Sequence, residues 1–181
     1  MALDAAREIV VQDGIQALSG RKVTGRIGYT IGTLYQLFED MDELVERLNA
    51  GTLAALHAFC SENLETRNVA DQLKTLGLRF TQFVQAHPNE WDAVMTYRYK
   101  EDHVTSDFYA FEIQRLFGLM EQTTDHFYPD QQSKDEQAAD MALLWSSLTG
   151  IWGVASSERQ VGGTLEQMIE RLVKLYIDAR S

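Results

Sequence analysis

Residues 14–38 read GIQALSGRKVTGRIGYTIGTLYQLF, and the fold of the chain turns on how they are understood. They carry Arg21, Lys22 and Arg26 and no acidic residue, inside a 181-residue chain whose formal net charge is -11. A basic island in an acidic chain suits a phosphate backbone, because Lys and Arg neutralise phosphates and supply most of the sequence-independent affinity for DNA. Ser19 is placed to cap a helix over residues 21–27 by accepting from a free backbone N–H. Gly28 ends that helix, since a left-handed backbone costs glycine nothing. Thr30 then caps a second helix over about residues 31–38, with Leu34 and Phe38 on one face and Thr30, Thr33 and Gln36 turned outward. Two short helices about a glycine turn, the second one polar outside, form the pattern of a helix-turn-helix.

The run GTLYQLF at residues 32–38, with Gly28 before it and an acidic helix start at residues 40–44 after it, resembles the DNA-binding domain of the TetR/AcrR family of bacterial regulators. The resemblance begins at LDAAREIVVQDG, residues 3–14, and covers roughly the first 48 residues without a gap. It implies an all-α fold: a three-helix DNA-binding domain over residues 1–48, then a helical ligand-binding and dimerisation bundle over 49–181. It also implies a contact set. Thr30, Thr33 and Gln36 would approach base edges, Arg21, Lys22, Arg26 and Tyr35 would hold phosphates, and Ile31 would stand at the position of a usual contact. Three positions depart from the family pattern: Ile31 replaces a common Lys, Leu37 a frequent His and Met41 another Lys. Gly25, inside the first helix of the motif, costs about 1 kcal/mol relative to Ala. The sequence as given opens on the first helix, where many relatives carry a basic arm.

Composition sets outer bounds. Two prolines, Pro88 and Pro129, and no sustained apolar–polar alternation point to helix throughout. Residues 1–48 hold five basic and eight acidic residues, so the remaining chain carries most of the negative charge and repels nucleic acid. The lone Cys60 excludes an internal disulfide and lacks a cationic neighbour in sequence, which makes it packing rather than a reactive thiol. With no run of 18 apolar residues and no signal pattern, a soluble, cytoplasmic chain with no membrane partner is expected.

Catalysis has little support. His57, His87, His103 and His126 show no ligand spacing, so neither a metal site nor a cofactor is expected. Asp102-His103 and Asp125-His126 are neighbours in sequence, and adjacent residues on a helix diverge; both read as solvated groups. No nucleophile elbow, phosphate loop or dinucleotide fingerprint occurs, and the chain is not expected to be an enzyme.

Helices continue down the chain. One opens at Asp42 and Glu43 and runs toward Leu64, with a bend expected at Gly51. Asn68 caps another, Pro88 starts a short one, and Thr105 or Ser106 caps a long one reaching His126. The polar run DQQSKDEQ at residues 130–137 reads as a mobile loop, with capping boxes at Ser133/Glu136 and Thr164/Gln167 opening the last two helices. Those two carry clean apolar stripes, which either form internal core or, as the resemblance implies, join a second copy in a four-helix homodimer interface. The segment LWSSLTG, residues 145–150 with the preceding Leu, is similar to one branch of the family carrying Trp, His and Gly at this spacing, with Thr149 in place of the His. Aromatic supply suggests a pocket for a small apolar or aromatic effector among Phe80, Phe83, Trp91, Met95, Phe108, Phe111, Trp145 and Thr149; aromatic stripes equally make plain core. Together these features suggest a repressor that binds a palindromic DNA operator as a homodimer and is released by its ligand. A ligand-binding dimer that has lost DNA affinity and a small enzyme using the pocket remain the alternatives.

Overall fold

A computed structural model describes residues 1–64, 68–156 and 163–180, without the side chains of 131, 132 and 156. Among the described residues every regular element is helical, as the sequence predicts. Nine α-helices follow in order among these residues: α1 Ala2–Asp13, α2 Gly20–Ile27, α3 Ile31–Leu37, α4 Met41–Ser61, α5 Val69–Ala86, α6 Pro88–Thr96, α7 Asp107–Thr124, α8 Gln131–Ser156 and α9 Leu165–Arg180. They form two compact units. The first comprises residues 1–56 and 84–114, the second 57–83 and 115–181. The resemblance implies a division at residue 48; these units are defined by packing, and the chain passes between them within α4, α5 and α7.

In the first unit, α1 presents Ala2, Ala5, Ala6, Ile9 and Val10 to a core completed by Val23, Leu34, Phe38, Leu44 and Val45. The small alanines let neighbouring helices come close, and the apolar spacing matches one helical face. Gly14 stops α1 at φ 78°, a left-handed backbone that Val or Ile would strain to adopt. The helix α4 runs unbroken through Gly51, and the Arg7 guanidinium lies over that glycine where a Cβ would stand.

In the second unit, α8 and α9 pack together along Met141, Leu144 and Leu148 on one side and Ile169, Val173 and Tyr176 on the other. The α5 helix joins them at Gly77, where an added Cβ would lie 2.8 Å from Ile169 Cγ2. Asn68 caps α5 through a 2.9 Å bond from the Asp71 N–H, and Thr164 with Gln167 caps α9 reciprocally at 3.3 and 3.0 Å. One boundary differs. The run 130–137 is the first two turns of α8, opened by Asp130, whose carboxylate accepts from the Ser133 N–H at 2.8 Å while Ser133 Oγ accepts from the Asp130 N–H at 3.1 Å. Gln137 is then 3% exposed and donates to the Glu121 carbonyl at 2.9 Å, an anchor that holds a polar segment as helix.

Candidate nucleic-acid interface

The turn between α2 and α3 is built from local hydrogen bonds. Ser19 Oγ accepts from the Lys22 N–H at 3.3 Å, Gly28 closes α2 at φ 72°, and Thr30 Oγ1 accepts from the Thr33 N–H at 3.3 Å. Leu34 is 2% exposed and packs α3 onto α2 at Gly20, where an added Cβ would lie 3.2 Å from Leu34 Cδ2 and 2.7 Å from Ile31 Cδ1. The two helices cross closely because Gly20 has no side chain.

What α3 turns outward is uncharged. Tyr29, Ile31, Tyr35 and Leu37 are exposed large side chains, and Thr30, Gly32 and Gln36 are exposed as well. Thr33 is partly covered, with its hydroxyl 3.1 Å from that of Thr30. The three basic residues of α2 are not equivalent. Arg21 is exposed, with no ion pair or hydrogen bond from its side chain among the described residues. Lys22 Nζ stands 3.8 Å from Asp13 Oδ2, both side chains about half exposed, a separation that solvent largely screens. Arg26 is committed to α1: Nη1 donates to Glu8 Oε2 at 2.9 Å and Nη2 to Gln12 Oε1 at 2.7 Å. Sequence alone counts three cations here; the structure leaves two with freedom to meet a phosphate.

The same unit contains a second feature, poor for DNA. A concavity of about 500 Å³ is lined by Glu39, Asp40, Glu43, Asp102, His103 and Phe108, among others. Beside it α4 carries three buried polar residues at successive turns, Asp42, Glu46 and Asn49, at 3%, 2% and 1% exposure, of which Glu46 also lines the concavity. Each is held by the non-helical run that follows α6. Asp42 accepts from Tyr97 Oη at 2.7 Å and from the Lys100 N–H at 3.0 Å, Glu46 lies 2.9 Å from His103 Nε2, and Asn49 Nδ2 donates to Tyr99 Oη at 3.1 Å. His103 therefore pairs with Glu46 and not with its sequence neighbour Asp102, and it is covered rather than solvated, stacked on Tyr99 at 4.7 Å. Burial, and then the bond to Asp42, pushes the Tyr97 hydroxyl well above its ordinary pKa. The hydrogen bond from Lys100 holds Asp40 below the usual carboxylate value. The spacing 42, 46, 49 is the sequence signal for this polar stripe, a helical period of acids and amide on one face of α4.

The residues proposed for an effector are spread over both units. Trp91 and Phe108 belong to the first, together with the exposed Met95 and Phe111. Phe80, Phe83, Trp145 and Thr149 belong to the second. Phe80 packs edge-on against Trp145 at 5.3 Å, Phe83 lies 6.2 Å from Phe59, and the Thr149 hydroxyl donates back to the Trp145 carbonyl at 3.1 Å. None of the four lines the apolar cavity of the second unit, about 40 Å³ among Leu73, Leu76, Met120, Leu144, Leu148 and Ile169. Cys60 is buried, and desolvation pushes its thiol up to about 12, which disfavours the reactive thiolate. No helix among the described residues is long and apolar enough to cross a membrane.

Comparison with known proteins bears on this geometry. Residues 2–48 match the family described as bacterial regulatory proteins, tetR family. No curated protein sequence matches the chain. Among solved structures, a protein of unknown function from Rhodococcus sp. RHA1 superposes with a TM-score of 0.77 at 15% identity, over 98% of this chain and 92% of that one. A TetR transcriptional regulator from the same organism gives 0.70 at 17% identity, over 96% and 92%. A TetR variant from Acinetobacter baumannii AYE, in complex with minocycline, gives 0.64 at 18% identity, over 99% and 96%. At such identities the structural likeness establishes the fold, and the matched residues 2–48 contain the whole of α1 to α3 with the start of α4. Over residues 2–48, then, the chain is similar to the tetR family of bacterial regulatory proteins, and over nearly its whole length it shares a fold with TetR transcriptional regulators.

Proposed function

We propose that the protein is a transcriptional repressor that binds a palindromic operator as a homodimer and leaves it when a small apolar or aromatic effector binds. The observation that carries this reading is the helix-turn-helix itself, capped at Ser19, Gly28 and Thr30, with α3 exposing hydrogen-bonding and apolar groups and no acid. Phosphate contacts would come from Arg21, Lys22 and Tyr35, and base contacts from α3, since phosphate contacts position and base contacts specify.

The dimer reading is supported by α8, where Leu143 at 67% exposure and Val154 at 37% lie on one stripe with Ser147 and the side-chain-free Gly150. On α9, Leu175 is 53% exposed. Two copies joined through these helices would present two recognition helices, matching half-sites about 34 to 36 Å apart or a multiple of that. The apolar cavity of the second unit is far smaller than the 300–1,000 Å³ or so of ordinary ligand sites. An effector seated there would have to part its lining helices, and such a differential fit would couple ligand to DNA.

Footprinting on the DNA flanking the gene tests the reading. A protected palindrome, lost in Leu143→Glu as that variant becomes monomeric in sedimentation, is the expected result. The second reading, a ligand-binding dimer without DNA affinity, is favoured by the engagement of Arg26 with Glu8 and Gln12, and it predicts no protection at any salt concentration.

A further inference from the structure

The outward chemistry of α3 restricts which bases it can read. Between Gly28 and Phe38 the chain has no Lys, Arg, Asp or Glu. Arg and Lys are the side chains that read guanine O6 and N7, and Asp and Glu accept from cytosine N4; Asn and Gln read adenine N6 and N7, and apolar groups meet the thymine methyl. The recognition helix thus lacks the principal readers of a G·C pair and keeps those of an A·T pair. With 3.6 residues per turn, Gly32 and Gln36 lie one turn apart on the side away from buried Leu34. Beyond its chain neighbours and its own helix backbone, Gly32 has only Thr30 Oγ1, at 3.8 Å, near its missing Cβ, so the backbone there is open to close approach. Gln36 is exposed, with no hydrogen bond from its amide to other described residues, while the Thr30 and Thr33 hydroxyls already face each other at 3.1 Å. Ile31 at 43% exposure and Leu37 at 61% flank this strip on either side.

We infer that the recognition helix specifies an A·T-rich half-site, with Gln36 bidentate on the N6 and N7 of one adenine and Ile31 or Leu37 against a thymine methyl. This rests on the DNA-binding reading above and adds the chemical class of its sequence. The flanking Arg21 and Lys22 contribute affinity without choosing a base.

Selection of bound duplexes from a random library by the purified full chain tests it, with Gln36→Ala in parallel and the melting temperature of each checked. The expected result is an enriched half-site containing a fixed A·T pair that Gln36→Ala no longer selects. In the enriched duplex, 7-deazaadenine at that pair should weaken the wild-type protein by roughly 5- to 150-fold, the worth of a bidentate contact, and leave Gln36→Ala unaffected. Uracil for the contacted thymine should cost about fourfold, the worth of one buried methyl. An enriched half-site fixed at G·C where the Gln36→Ala preference changes, or an identical preference and affinity for Gln36→Ala, would overturn the inference while DNA binding stood. No enrichment at all would instead remove the DNA-binding reading, and this inference with it.

Discussion

The salt dependence of DNA binding follows from the ion pairs of α2. Each phosphate neutralised by a cation releases bound counterions, and log K falls with log salt at about -0.9 per contact. Among the described residues Arg21 has no ion pair, Lys22 is held only loosely by Asp13 at 3.8 Å, and Arg26 is bound at 2.9 and 2.7 Å by Glu8 and Gln12. Two cations per subunit in the proposed dimer give a slope of about -3.6, or a loss of roughly 150-fold in affinity between about 50 and 200 mM salt. Were Arg26 to contact phosphate as well, the slope would be about -5.4 and the loss near 2,000-fold.

Fluorescence anisotropy of a labelled operator over that salt range resolves the two cases. Arg21→Ala should halve the slope to about -1.8. Arg26→Ala should leave it unchanged, and should instead cost less than about 1 kcal/mol of stability in urea, because Glu8 is 63% exposed and such pairs are weak. A wild-type slope of about -5 or steeper, shallowed equally by Arg21→Ala and Arg26→Ala, would refute the assignment of Arg26 to α1.

Other consequences are open to simpler tests. Gly20→Ala places a methyl 2.7 Å from Ile31 Cδ1 and should destabilise by about 1 to 3 kcal/mol, part of which Ile31→Ala restores; additivity of the two in urea melts would contradict this packing. Gly25 is exposed with nothing within 4 Å of its missing Cβ, so Gly25→Ala should raise stability by about 1 kcal/mol, and a lower urea midpoint would count against that. With its thiol pushed up to about 12, Cys60 should resist iodoacetamide at neutral pH until the protein unfolds; fast native labelling would show it accessible. The Lys100–Asp40 pair lowers the carboxyl and raises the ammonium, so its contribution is present above Asp40's ordinary pKa and lost as pH falls through the lowered one. At the alkaline end it is present below the ordinary lysine value and lost as pH rises through the raised one. Lys100→Met should therefore flatten the acid limb of stability against pH, and identical limbs would show that the pair contributes nothing.

What could be read from the sequence was what local chemistry decides. Ser19, Gly28 and Thr30 act on N–H groups within three residues, and Gly14 closes its own helix, so the motif was legible residue by residue. The start of α8 was not, because the segment's polar composition suits a loop and its anchor, Gln137 on the Glu121 carbonyl, reaches back to the preceding helix. His103 misleads in the same way: its visible neighbour is Asp102, yet its partner is Glu46, 57 residues away. For the aromatic residues hydrophobicity says what is buried and not against what; the contact of Phe80 with Trp145 is seen only in the structure.

The same limit governs the DNA surface, where it has the greatest functional weight. A formal charge in sequence is an upper bound on a phosphate contact, since only an unengaged cation releases counterions at no loss to the fold. Glu8 and Gln12 stand one turn apart on α1 and meet the two nitrogens of a single guanidinium, so α1 determines how much of the α2 charge is available. Recruiting Arg26 to DNA would break its contacts to Glu8 and Gln12, so part of any phosphate contact would be offset. The affinity of this domain is therefore set as much by the helix that packs behind the motif as by the motif. Glu8→Gln, which weakens the charge without removing the side chain, should free Arg26 and steepen the salt slope toward the three-cation value.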